Sequence, residues 1–280
     1  MSGYHLGILV LLSFNVIAAY AVYLPLAAGQ LNLGIAGFMV VGAYAASYLT
    51  NEMGFPVVGA IACGGALAAA VALLVAIPIL RTHGIYLALA TFALGQVIAA
   101  IFLNLDVVGG ASGYPVTAHV GAVAVIGTAV GVIGFMALLS TTRFALYLTA
   151  VKSDPLVSDL MGINIRAIKV AAFTVGAAVA AIGGGLYAHY FNYIEAQYFS
   201  VMLSVYTVLY VLLGGTQTVW GPLVGALIFT LMPELLRASA QWRYALFAIF
   251  IILFMAVRPQ GLITAGFGKY LRRQFVREAA

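Results

Sequence analysis

The groups with which this chain could do chemistry are few. There are four histidines, one cysteine and seven carboxylates in 280 residues. His5, His83, His119 and His189 stand apart, and no His-x-x-x-His pair puts two imidazoles on one helix face to hold a metal. Cys63 sits in an apolar run, where one thiol makes neither an internal disulfide nor a metal set. Lys152 is the only lysine followed by Ser or Thr, and Val151 precedes it. The glycine-rich loop that cradles ATP phosphates is therefore missing, and any ATP hydrolysis must occur on another chain. What remains is uncharged. Gln30 and Asn32 lie in the run 29–37, GQLNLGIAG, beside Gly34 and Gly37. Thr216, Gln217 and Thr218 lie in the run 214–222, GGTQTVWGP. Amides and hydroxyls among glycines can satisfy backbone that leaves a helix, or offer hydrogen bonds to a passing solute.

The elements that must position these groups are membrane spans. The chain is 65% hydrophobic and 7% charged, against about 25% charged for a soluble domain. A spanning helix needs roughly 20 apolar residues. Segments 6–28, 34–50, 56–80, 85–103, 120–139, 167–189, 201–213, 222–236 and 244–257 qualify or nearly so. The expected fold is an all-α transmembrane bundle of about nine spans (range eight to ten), forming one domain over 1–280. The first run has no Lys or Arg before it and reads as a retained span rather than a signal peptide.

Net charge is +5, which here reads as orientation rather than nucleic-acid binding. Ten of the 12 basic residues fall in the connection after the third span, around the connection 141–166, or after the last span. With nine spans these lie on one side, which positive-inside makes cytoplasmic. The N-terminus is expected outside and the C-terminus inside. Glu52, Asp106, Glu195 and Glu234 fall on the outer side. The basic tail from Phe267 is expected to anchor at lipid headgroups.

No charged residue falls in the middle of a span, which weakens an ion-coupled carrier. The two glycine-amide runs lie at similar places in the two halves, each before a short span, and such interrupted spans point to a transport pathway. Small residues in the sixth span, such as Gly176 and Gly184, favour close helix crossing. The cytoplasmic run 153–162, SDPLVSDLMG, predicts a short helix. Asp154 caps it, Pro155 takes its first position, and Gly162 ends it. Leu156, Leu160 and Met161 share a face that needs cover, and Asp159 lies beside them. A partner protein is the expected cover.

Together these runs resemble the branched-chain amino acid permeases of ATP-binding-cassette importers, of the LivM type. The resemblance rests on 29–44, GQLNLGIAGFMVVGAY; on Met161-Gly162-Ile163-Asn164 with Lys169 and Phe173; on 213–226, LGGTQTVWGPLVGA; and on Arg258-Pro259-Gln260-Gly261-Leu262. It covers nearly the whole chain in the right order. It implies a second, related permease, two cytoplasmic ATPase subunits carrying ATP and magnesium, and an extracytoplasmic binding protein. This chain itself needs no cofactor and catalyses nothing. The resemblance puts ATPase coupling on Asp154, Pro155, Leu156, Asp159, Leu160, Met161 and Gly162, and the pathway on Gln30, Asn32, Gly34 and Gly37. A solute-path role is also assigned to Gln96, a polar residue inside the fourth span. Relatives often carry an alanine pair where this chain has Val157 and Ser158, and its amino terminus is short by comparison.

The expected function is thus an importer permease for branched-chain or other small hydrophobic amino acids in the bacterial inner membrane. Urea, short amides or other small organic solutes are the alternative cargo within the family. A channel without an ATPase is the alternative of another class. It would pass solute unaided and leaves the coupling helix unexplained.

Overall fold

A computed structural model describes residues 3–236, 243–258 and 261–263. The basic tail beyond 263 lies outside the described residues. The chain is a helix bundle: α1 (Gly3–Ala27), α2 (Ile35–Met53), α3 (Val57–Ile79), α4 (Ile85–Leu103), α5 (Ala122–Ser140), α6 (Arg143–Ser153), α7 (Pro155–Leu160), α8 (Ile165–Phe191), α9 (Val201–Gly214), α10 (Gly221–Leu235) and α11 (Arg243–Val257). Each of the nine apolar segments falls on one of these helices. Among the described residues, six helical stretches are long and apolar enough to cross a membrane: 3–27, 57–79, 85–103, 122–140, 165–191 and 196–214. The chain is a multi-pass membrane protein.

Burial explains the arrangement. Ile17 through Leu24 of α1 are buried without a break, as a helix apolar all round must be when it runs through the centre. Helix α8 packs on α1, α2 and α3, and small residues permit the approach. A side chain at Gly184 would overlap the Met39 carbonyl of α2. The outer helices invert the usual pattern. In α3 the buried residues Ala60, Gly64, Ala68, Ala72 and Ala76 recur every fourth position, while Leu67 and Leu74 are exposed. In α5 Val125, Ala129, Val132 and Met136 are buried, while Val123 and Leu138 are exposed. A water-facing surface of this kind would aggregate. Facing hydrocarbon, the large side chains are already in their solvent, and close packing falls to the small ones.

The connections sort onto two ends. At one end the segment between α4 and α5 forms two 3-10 turns and a strand, β1 (Tyr114–Pro115), which pairs antiparallel with β2 (Tyr193–Ile194). Asn51 Nδ2 donates to the Pro115 carbonyl (2.7 Å), and Tyr114 Oη donates to Glu52 (3.1 Å). Tyr4 of α1 donates to Glu234 of α10 at this end too. Burial, with the Glu52 carboxylate added to it, raises the phenol pKa of Tyr114. At the other end lie α6, α7 and the two glycine-amide runs. The sequence reading expected one short helix in 141–166, and the structure has two. In α6, Phe144, Leu148 and Val151 follow helical spacing, and the last two are buried, so the bundle rather than propensity holds it.

Candidate functional site

The first break begins at Gly29, whose φ of +74° is left-handed. Its N–H donates to the Leu26 carbonyl (3.1 Å), and the Gln30 N–H donates to the Pro25 carbonyl (2.9 Å). This is the paired helix-ending geometry that favours glycine. The chain then leaves the helical ladder until α2 starts at Ile35. Asn32 Oδ1 accepts from the Gly34 N–H (2.8 Å), closing a local turn. The Leu33 N–H donates to Thr91 Oγ1 of α4 (3.0 Å), and the Ala36 N–H donates to Ser204 Oγ of α9 (3.0 Å). Hydroxyls from two other helices thus meet donors that the break sets free, as non-helical backbone inside a membrane protein requires.

Two amide groups stay unmatched. Gln30 and Asn32 are each 1% exposed. Neither Gln30 Nε2 nor Oε1, nor Asn32 Nδ2, has a hydrogen-bond partner. A buried polar group left so costs about 1–3 kcal/mol. Gly34 and Gly37 lie beside them and seat α2 directly on α4. A Cβ at Gly34 would stand 2.5 Å from the Thr91 carbonyl oxygen, and one at Gly37 2.7 Å from Gly95 Cα. The structure therefore brings Gln30, Asn32, Gly34 and Gly37 together. It does not bring Gln96 to them: Gln96 follows Gly95 on α4 but is exposed, next to the exposed Val97.

The second break lies between α9 and α10. Helix α9 ends at Gly214, and α10 starts at Gly221 with Pro222 in its first turn. The last carbonyls of α9 accept from the chain that follows α11, Leu213 from Leu262 N–H (3.0 Å) and Gly214 from Ile263 N–H (3.0 Å). Two runs far apart in sequence thus build one corner. Tyr20 Oη of α1 donates to the Val219 carbonyl (3.0 Å).

Helix α6 touches both breaks through Lys152. Its Nζ donates to Thr216 Oγ1 (2.8 Å), and its backbone runs past Gly29, whose added Cβ would stand 3.7 Å from Lys152 Cα. Asp154 then ends α6 and caps α7, accepting from the Val157 N–H (3.1 Å) with Pro155 at the first helical position. Gly162, at φ +79°, turns the chain away. Leu156, Leu160 and Met161 are 72%, 80% and 78% exposed, and Asp159 is exposed beside them. Ser158, on the opposite side, is buried and donates to the Asp154 carbonyl (2.8 Å). The apolar face read from the sequence is present and uncovered.

Sequence reasoning missed Lys152 and Ser204 as site residues. A hydroxyl at the start of α9 was the only signal for Ser204. Nothing local marks Lys152 as the lysine that meets Thr216.

Among described residues no group of three or more His, Cys, Asp or Glu is placed to hold a metal ion. The family model described as branched-chain amino acid transport system / permease component matches residues 4–257. The chain is 26% identical to the high-affinity branched-chain amino acid transport system permease protein LivM of Escherichia coli K12, over 84% of this chain and 64% of that protein. It is 27% identical to LivH of the same strain, over 47% of this chain and 45% of LivH. It is 28% identical to the fructose import permease protein FrcC of Rhizobium meliloti, over 43% of this chain and 36% of FrcC. The chain thus spans a little under two thirds of the length of the LivM proteins it matches. No solved structure matches it significantly. A match running from residue 4 to residue 257, over both helix breaks and over α7, means that the chain belongs to the branched-chain amino acid transport system permease component family.

Proposed function

We propose that the chain is the membrane-spanning permease subunit of an ATP-binding-cassette importer, carrying branched-chain or other small hydrophobic amino acids across the bacterial inner membrane. The observation that carries this reading is α7. In a chain of this family, a capped helix outside the bundle presents an uncovered leucine–methionine face. A groove on a cytoplasmic ATPase subunit is the occupant that such a face suits. The chain has no phosphate loop, so ATP, magnesium and hydrolysis belong to the partner subunits. The matched LivM and LivH relatives support a second, related permease beside this one, and an extracytoplasmic binding protein completes the importer.

Residues 1–280 act as one permease domain, with 141–166 as its coupling loop. The nine segments cross the membrane with the N-terminus outside. The charge asymmetry and the sorting of connections onto two ends support that orientation. Gln30, Asn32, Gly34 and Gly37 line the pathway, where unmatched amides at a helix break can bond a solute in transit. Gln96 is exposed on an otherwise apolar helix and is suited to the face turned toward the second permease, because an amide facing lipid is costly. The similarity to a fructose permease supports a second reading, in which the cargo is another small polar solute.

The test is uptake of labelled leucine by proteoliposomes holding the full set of subunits. ATP should drive it, and Leu156→Glu with Leu160→Glu should lower it by more than about tenfold, the scale of hot-spot contacts. Undiminished uptake by the double variant would sink the coupling assignment. Leucine flux through this chain alone without ATP would make it a channel.

A further inference from the structure

A cavity of about 820 Å³ opens at the end of the bundle where both helix breaks lie. Its apolar lining includes Leu24, Met136, Leu139 and Leu212. Its polar lining includes Thr149, Lys152 and Thr216. Lys152 is the only charged residue lining the cavity among the described residues. Its ammonium donates to the Thr216 hydroxyl, a neutral partner, and no carboxylate meets it among the described residues. Desolvation by the surrounding protein pulls its pKa below the ordinary lysine value. Lys152 stays exposed at the cavity, so its ammonium is open to an entering anion, which would add a charge-assisted bond to the neutral one it makes now.

The rim says what kind of anion. Leu146 and Trp220 line the cavity and are also 70% and 52% exposed, and Leu138, beside the lining Leu139, is 70% exposed. The opening is therefore flanked by apolar side chains of the lipid-facing surface. Tryptophan and lysine together at a helix end mark the headgroup level of a bilayer. A basic pocket between spans at that level suits a phosphate headgroup, with its acyl chains leaving along the apolar flank.

We propose that this cavity binds the headgroup of one anionic phospholipid, with Lys152 and Thr216 holding the phosphate and the apolar flank of Leu139, Leu146 and Trp220 receiving the start of the acyl chains. The site is separate from the unmatched amides of Gln30 and Asn32, and it does not depend on which solute is carried. A free phosphate or the carboxylate of an amino acid shares the anion chemistry but lacks the chains.

The test is native mass spectrometry of the full chain with its co-purifying subunits. The complex is stripped of lipid and offered phosphatidylglycerol or phosphatidylcholine of the same chain length. The parent should retain one phosphatidylglycerol with about fivefold preference, the scale of one lysine at an anionic surface. Lys152→Arg should keep that lipid and Lys152→Gln should lose it. Thr216→Val, which leaves the charge in place, should weaken retention. Equal retention of the two lipids by the parent, or an unchanged lipid count in Lys152→Gln, would overturn the proposal. So would displacement of the lipid by millimolar inorganic phosphate or leucine, either of which would mark a site for free anions instead.

Discussion

At the scale of single residues, the amide of Gln30 separates stability from transport. It is buried, and neither of its polar atoms is bonded. Gln30→Met keeps the volume and removes the unmatched groups, so it should leave thermal stability unchanged or raise it by about 1 kcal/mol. Uptake should fall if the amide serves the solute. A variant that unfolds early instead would show that the amide is structural; melting in detergent and uptake on the same preparation distinguish the two. Lys152 makes a pH prediction. Its folded pKa is lowered from 10.5, so between the two values the unfolded chain binds a proton that the fold has released. Stability from this group therefore rises with pH across that window. The other described residues lining its cavity are uncharged. Relative to Lys152→Met, the parent should gain in melting temperature as pH rises toward 10.5, and a difference flat in pH would contradict it.

At the scale of elements, α7 and α8 differ in what they need. Helix α7 has six residues, too few to be stable alone, and it relies on its ends. Asp154→Ala removes the side-chain cap and should cost about 1 kcal/mol of local helix stability. It should loosen amide-exchange protection in 155–160 without changing the melting of the bundle; global unfolding at lower temperature would mean that the loop is part of the core. Helix α8 relies on its small face. Gly184→Val would drive a branched side chain into the Met39 backbone. Such overpacking costs about 1–3 kcal/mol even where neighbours yield, and here the neighbour is backbone. Chain recovered in the membrane should drop sharply, and a stable variant would show that α2 and α8 can part.

At the scale of the whole molecule, the connections sort by charge as well as by position. Arg143, Lys152, Arg166 and Arg258 stand at the end with α6 and α7, and Glu52, Asp106 and Glu195 at the end with the β1–β2 ribbon. For the proposed nine-span orientation, Ser112→Cys should react with an impermeant thiol reagent from outside intact cells. Asn164→Cys should react only after the cells are opened, both in a Cys63→Ala background. Labelling of both from the same side would break the proposed topology.

Most of the bundle was legible in the sequence because hydrocarbon as solvent demands long uninterrupted apolar runs, and those runs need no tertiary knowledge. The caps of α7 were legible for a similar reason: Asp154, Pro155 and Gly162 act on backbone within a few residues of themselves. The glycine-amide breaks announced themselves by composition. What the sequence left open was everything settled by meetings between distant segments. Thr91 and Ser204 supply donors' partners to the first break, Leu262 and Ile263 return to finish α9, Gln96 turns outward where Gly95 packs inward, and Lys152 reaches Thr216. Helix α6 belongs to the same group, since its two buried residues signal nothing until a bundle stands beside them. Local rules determine where a membrane chain is helical and where its helices end. Which freed hydrogen-bonding groups find one another, and which polar atoms of Gln30 and Asn32 find no partner, is decided only when the helices are packed.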